Sequence, residues 1–227
     1  MRSEKTQLFD EWPDAYDRWF TTPIGSLVRR YELELIMNLL KPKRSEVILD
    51  AGCGTGVFTV DILASGSSVV GLDLSLPMLT CAGRKLNELS FHRVLGDIAC
   101  LPFMESSFDK VVSVTALEFI EDAKEAVGEM FRVTQRGGTI VVASLNSLSP
   151  WASRRMVEAK ERHTIFKKAI FRSPDELRSL ALGDSVVKTA IHFEKEDDPD
   201  KAIRIEQEGQ RKDLKTGAFV AVRWMKP

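Results

Sequence analysis

Asp50, Gly52, Gly54 and Gly56 fall within LDAGCGTG, residues 49–56, which follows the short apolar run Val47-Ile48-Leu49. Glycines at every second position after a strand let the chain turn sharply and admit a ligand close to the backbone. Two phosphate-binding patterns fail on spacing. A dinucleotide fingerprint counted from Gly52 requires glycine at 57, where the chain has Val57, and a P-loop requires a Lys-Ser or Lys-Thr pair that does not follow. A carboxylate beside the turn, Asp50, is a poor neighbour for pyrophosphate and a good one for a cation. Gly56 is expected to open the next helix with its amides directed at the ligand. Asp73 ends a second apolar run 17 positions after Gly56, where a carboxylate can accept both hydroxyl hydrogens of a ribose.

The elements around these residues alternate. Strands are expected at 47–51, 69–73, 91–95, 108–115 and 139–144. Helices are expected at about 56–64, 77–89 and 121–133, and Gly137-Gly138 supplies a turn before the fifth strand. Apolar strands alternating with helices imply a parallel sheet covered on both faces. Before this core lie two helical segments. Residues 7–20 carry Leu8, Phe9, Trp12, Tyr16, Trp19 and Phe20, and a helix ending near Leu40 shows Val28, Tyr31, Leu35, Ile36 and Leu39 on one stripe. After the core, residues 150–172 hold seven Lys or Arg against two Glu, a net of +5. Ser173-Pro174 is a helix start, and strands are expected at about 185–193 and 217–225. The polar stretch 194–215 between them is expected to be a long loop or an exposed helix.

The organisation expected is a single domain in four parts: a helical cap (1–45), an α/β core (46–146), a basic helical insertion (147–184) and C-terminal strands that complete the sheet (185–227). With 227 residues, 44% of them hydrophobic, and a net charge of −1, the chain can bury one substantial core and gives no global reason to bind nucleic acid. No apolar run is long enough to span a membrane, and Cys53, Cys81 and Cys100 are odd in number and in no metal or redox spacing. A cytoplasmic protein without stable membrane association is expected. His92, His163 and His192 are scattered, with no paired carboxylates, so no metal site is expected.

VILDAGCGTG resembles the first motif of class I S-adenosylmethionine-dependent methyltransferases. The resemblance continues through VVGLDLS (69–75), LGDIACLPF (95–103), FDKVVSVTALEFIED (108–122) and RVTQRGGTIVV (132–142), in order and at the right spacing. It is greatest to the small-molecule branch that includes quinone-biosynthesis enzymes. It implies a Rossmann-like fold, a seven-stranded, mostly parallel sheet with helices on both faces, the last strand antiparallel, and an N-terminal helical lid. It implies S-adenosylmethionine as cofactor and S-adenosylhomocysteine as product. By resemblance, the methionyl part passes over Gly52, Cys53, Gly54 and Gly56 with Asp50 orienting it, and Asp73 takes the ribose. Leu74, Met78 and Ile98 face the adenine and Asp97 accepts its amino hydrogens. Thr115 lies by the methyl group and Tyr16 reaches the cofactor carboxylate.

Methyl transfer is an in-line displacement that depends on proximity, orientation and desolvation, with a general base required only when the acceptor loses a proton. Many relatives carry a histidine near the position of Glu118; here Glu118 is the candidate base or binder of a cationic acceptor. Trp19, Phe20, Phe119, Trp151, Arg154 and Arg155 are the candidates for holding the acceptor, the two arginines as a clamp on an anionic one. The segment TALEF lacks the Asn-Pro-Pro-aromatic pattern of exocyclic-amine methyltransferases. The function implied is methyl transfer to O, N or C of a small-molecule acceptor. The rivals are a catalytically silent cofactor-binding regulator or partner protein, and an RNA or protein methyltransferase.

Overall fold

The computed structural model describes residues 9, 10, 12–161 and 165–227, without the side chains of Lys160 and Glu161. Leu8 of the aromatic set and His163 lie outside the described residues. The aromatic segment forms the helix α1 (Pro13–Trp19), and α2 (Pro23–Leu40) follows, capped by the Thr22 hydroxyl, which accepts from Gly25 N at 3.1 Å. A left-handed Lys41 then ends α2 just before Pro42.

The strands β1 (Val47–Ala51), β2 (Ser68–Asp73), β3 (Phe91–Leu95), β4 (Phe108–Val114), β5 (Thr134–Leu145), β6 (Ser185–Ala190) and β7 (Phe219–Met225) form one sheet in the order β3-β2-β1-β4-β5-β7-β6. The first five are parallel to their neighbours; β7 runs antiparallel between β5 and β6. The expected seven-stranded, mostly parallel sheet with an antiparallel last strand is the fold observed. Strand order reverses between β1 and β4, so the crevice beyond their carboxyl ends is where an open α/β sheet receives a ligand.

The helices α3 (Thr59–Leu63), α4 (Leu76–Lys85) and α5 (Ala123–Val133) cover the sheet. Ala123, Ala126, Val127, Met130 and Val133 make the buried face of α5, and Asp122 caps it by accepting from Glu125 N at 2.9 Å. Apolar side chains fill both faces of the sheet, with Ile48 and Val69 in one cluster and Leu49 and Leu72 in the other. Each such side chain contributes roughly 1.5–3 kcal/mol of burial. The basic insertion contains α6 (Pro150–Glu161), a 3₁₀ turn (Ile165–Lys168) and α7 (Pro174–Arg178), the last with a complete capping box between Ser173 and Glu176.

Two expectations are corrected. The fifth strand begins at Thr134, and the glycine pair lies inside it: Gly137 N donates to Lys226 O and Lys226 N to Gly138 O, both at 2.9 Å. Lys226 pairs with the strand where Gly137, at φ 73°, interrupts its extended course. The polar stretch after β6, expected as a long loop or an exposed helix, contains the helix α8 (Pro199–Arg211), and one face of it is buried rather than exposed. That face is made by Ala202, Glu206 and Gly209, too small and polar to register as an apolar stripe.

Glu206 is buried against His192: its Oε2 lies 3.0 Å from His192 Nδ1 and accepts from His192 N at 2.7 Å. Burial opposes the charge on both groups, yet the contacts win. His192 titrates above its ordinary value and Glu206 below its own. Histidine's contribution is therefore lost as pH rises through its raised value, and the carboxylate's as pH falls through its lowered one. Glu206→Gln is expected to cost about 3 kcal/mol near pH 6 and less at pH 9, flattening the wild-type decline in stability as histidine deprotonates. Urea unfolding midpoints measured across that range check this.

Candidate active site

Leu72 O, in β2, accepts from both Gly52 N (2.7 Å) and Cys53 N (3.0 Å), which folds the chain leaving β1 back across the sheet end. Gly52 makes this turn at φ 85°, and a β-carbon there would lie 2.5 Å from Ala116 Cβ. Gly54, at φ 53°, has no atom within 4 Å of its would-be β-carbon, so its backbone is bare toward the crevice. Gly54 N donates to Asp73 Oδ2 (2.8 Å) and Ser75 N to Asp73 Oδ1 (2.9 Å). The Asp73 carboxylate is thus held rigidly by two amides and keeps lone pairs for a ligand. Burial pushes its pKa up, and those amides oppose the rise. Asp50 is buried behind the loop, where the Thr59 hydroxyl donates to it at 2.6 Å; burial pushes its pKa up to about 7, against the effect of Thr59.

Two loop residues differ from expectation. Gly56 does not line the cavity: its N–H is spent on Cys53 O at 2.9 Å, and its would-be β-carbon lies 2.9 Å from Leu86 Cδ1. α3 starts only at Thr59, so no helix terminus opens at Gly56. Cys53 borders the cavity, while its sulfur packs beneath β2, 2.8 Å from where a β-carbon on Gly71 would stand.

These residues border one cavity of about 1570 Å³. Leu74, Met78, Asp97 and Ile98 line the end next to β2 and β3, and Asp97 Oδ1 is tied to Ala99 N at 2.9 Å. Thr115, at the end of β4, lines it with a positive φ of 48°, strain of the kind that gathers at functional sites. Tyr16 of α1 lines the cavity with Thr115 beside its hydroxyl, and burial drives its pKa upward.

The roof comes from three stretches of chain. In α1, Asp17 accepts from Thr55 Oγ1 (2.6 Å) and pairs with Lys85 Nζ (2.7 Å), while Trp19 and Phe20 line the cavity. In α6, Trp151 is anchored by its Nε1 donating to Phe193 O at 2.7 Å, and the Arg155 guanidinium sits 5.2 Å from the Trp151 ring and 5.1 Å from the Phe166 ring. Residues 194–196 form the third: Glu194 and Glu196 pair with Arg154, and Lys195 lies 5.5 Å over the Trp19 ring. Phe119, Trp151, Arg154 and Arg155 all border the cavity, but Arg154 is held by two acids and is no longer a clamp in waiting.

Glu118 is corrected outright. It is fully buried and absent from the cavity lining; its Oε1 accepts from Leu145 N at 2.6 Å and its carbonyl from Ile170 N at 2.8 Å. Arg172 lies beside it, donating to Leu117 O at 2.9 Å. Burial raises its pKa against the pull of that amide. Glu118 joins the end of β5 to the insertion. Among the acids that do border the cavity is Glu32 of α2, which sequence reasoning missed. Its spacing was the signal: Val28, Glu32 and Ile36 stand four apart on one buried face. Burial pushes the Glu32 pKa up to about 8, with Arg155 opposing and Glu118 adding to the rise.

This geometry has counterparts among known proteins. Residues 49–142 match the family described as a methyltransferase domain. A demethylmenaquinone methyltransferase of Renibacterium salmoninarum is 33% identical over 145 residues, 63% of this chain and 59% of that one. The chain therefore spans about three-fifths of that relative's length. An uncharacterised protein of Methanocaldococcus jannaschii is 28% identical over 218 residues, covering 95% of this chain and 97% of that one. A solved S-adenosylmethionine-dependent methyltransferase of Thermotoga maritima shares the fold, with a TM-score of 0.72 at 22% identity over 99% of this chain and all of that one.

The residues lining this cavity fit S-adenosylmethionine. A bare backbone at Gly54, an amide-pinned carboxylate at Asp73 and a buried acid at Asp50 suit a ligand with ribose hydroxyls and cationic groups. The two glycines separate stability from binding. Gly52→Ala is expected to destabilise the fold by about 2–4 kcal/mol, from left-handed strain and the Ala116 clash. Gly54→Ala is expected to cost only roughly 1–2 kcal/mol yet to lose most S-adenosylhomocysteine affinity. Melting curves paired with calorimetric titration check both.

Proposed function

We propose that the protein transfers a methyl group from S-adenosylmethionine to a small-molecule acceptor. One observation carries this reading: a single roofed cavity joins the glycine loop, Asp73 and Asp97 to an aromatic chamber under α1 and α6. At about 1570 Å³ it exceeds the roughly 300–1,000 Å³ usual for one ligand, leaving room for cofactor and acceptor together. The bound cofactor would supply a methyl group on a sulfonium, open to displacement by the acceptor.

This chain's own residues would then orient and desolvate. Asp73 and Asp97 hold the nucleoside, with Leu74, Met78 and Ile98 as apolar walls. Asp50 offsets positive charge at the methionyl end. Trp19, Phe20, Phe119 and Trp151 exclude water around the acceptor, which sharpens every electrostatic contact inside. Tyr16, packed edge-on against Phe20, stands beside Thr115 where the two halves meet. A cleft of this kind, walled by aromatic side chains, supports a small acceptor over a nucleic acid or protein chain.

Calorimetry with S-adenosylmethionine, S-adenosylhomocysteine and NADH tests the cofactor. Micromolar binding of both adenosyl ligands is expected, with none for NADH and at least about a tenfold loss in Asp73→Ala. Absence of adenosyl binding in folded protein would overturn the reading. Because the anionic form of Asp50 is the one that favours a cation, S-adenosylmethionine affinity is expected to rise between pH 6 and 8. Asp50→Asn should flatten that rise. Methyl transfer to any acceptor in a screen separates an enzyme from a silent cofactor-binding protein.

A further inference from the structure

The roof end of the cavity holds a cation with a buried donor that the described structure leaves unpaired. Arg155 lines the cavity between Trp151 and Phe166, and its Nη1 is buried without a hydrogen-bond partner. Its neighbour Arg154 is committed to Glu194 and Glu196, and Arg172 to the carbonyls beside Glu118. Glu158 of the same helix is exposed, where water and salt screen its charge. Glu32 and Glu118 are the buried acids that act on Arg155; Glu118 lies outside the cavity lining with its Oε1 taken by Leu145 N, so Glu32 is the one of the two that borders the cavity. With a pKa pushed by burial to about 8, Glu32 is largely protonated at neutral pH and offers Arg155 little counter-charge. A desolvated guanidinium with a donor left unpaired is costly, and a ligand anion reaching it from the cavity would relieve that cost.

We propose that the methyl acceptor is an oxyanion on a flat apolar body, its charged oxygens bound by Arg155 and its body lying against Trp19, Phe20, Trp151 and Phe166. This rests on the methyl-transfer reading and names the acceptor class for it. A guanidinium held between two rings keeps a planar set of N–H donors suited to a carboxylate or phenolate. The aromatic walls supply area but no competing charge. Glu32 then acts as a neutral neighbour that permits the anion, and it becomes a rival for Arg155 once ionised.

The test uses tryptophan fluorescence to titrate the protein with benzoate, 2-naphthoate and anthracene-2-carboxylate. Each is compared with its primary amide and its aminomethyl analogue, with and without saturating S-adenosylhomocysteine. At least one acid is expected to bind about tenfold or more tightly than both analogues, the ratio of a charge-assisted hydrogen bond. Arg155→Gln should erase that preference and Arg155→Lys keep part of it, with S-adenosylhomocysteine affinity unchanged in both. Acid affinity should fall several-fold between pH 7 and 9 as Glu32 ionises, and Glu32→Gln should remove the fall. Should Arg155→Gln fail to fold, the wild-type acid-to-amide ratio and the Glu32→Gln pH profile still decide. Amides or amines binding as well as the acids, or a preference that survives Arg155→Gln, would overturn the proposal. An acid preference in protein that does not bind S-adenosylhomocysteine would keep the oxyanion site and sink the cofactor reading instead.

Discussion

The Leu72 carbonyl, accepting from both Gly52 and Cys53, sets the course of the chain between β1 and α3. Two amides converge on one acceptor only if the backbone turns through left-handed conformations, which is why glycine stands at 52 and 54. The turn brings Gly54 N to Asp73 at the end of the neighbouring strand, so β1 and β2 are stitched at the point where their side chains face the crevice. The floor of the cavity is thus a consequence of backbone hydrogen bonding. Its carboxylates are placed by main-chain amides, which have no rotamers to lose.

That origin explains what was legible in the sequence. A floor built from strand ends and turns leaves a pattern of residue types at fixed spacing, and LDAGCGTG, Asp73 and Asp97 carry it openly. The same holds for β1, β4 and β7, whose apolar runs reflect burial on both faces, while the edge strands β3 and β6 are more exposed. The buried face of α8 was hidden because it is made of Ala202, Glu206 and Gly209, and its packing depends on a His192 contributed from outside it. Glu32 was hidden for a related reason: an acid within an otherwise apolar stripe gives no sign of what it faces until α6 is folded across it. Glu118 erred in the opposite direction. Its place after β4 pointed toward the reacting centre, yet the 3₁₀ turn (Leu117–Phe119) directs the carboxylate to the Leu145 amide and leaves Phe119 on the cavity.

The buried charges divide between two tasks. Glu118 with Arg172, and Glu206 with His192, join segments distant in sequence, and each draws on backbone hydrogen bonds to offset the cost of burial. Asp50, Glu32 and Arg155 border the cavity with fewer such contacts, and burial shifts all three toward neutrality. Incomplete satisfaction of this kind is where a protein interior keeps capacity for a ligand.

The roof differs from the floor in what holds it. Its three stretches, α1, α6 and residues 194–196, meet one another largely through ion pairs and cation–aromatic contacts, and none of them is a strand of the sheet. Such contacts are worth little individually in water. The two halves of the cavity are therefore separable in heredity as well as in space: side chains of the roof can be exchanged, and a different acceptor accommodated, while the sheet and the nucleoside seat beneath it stay as they are.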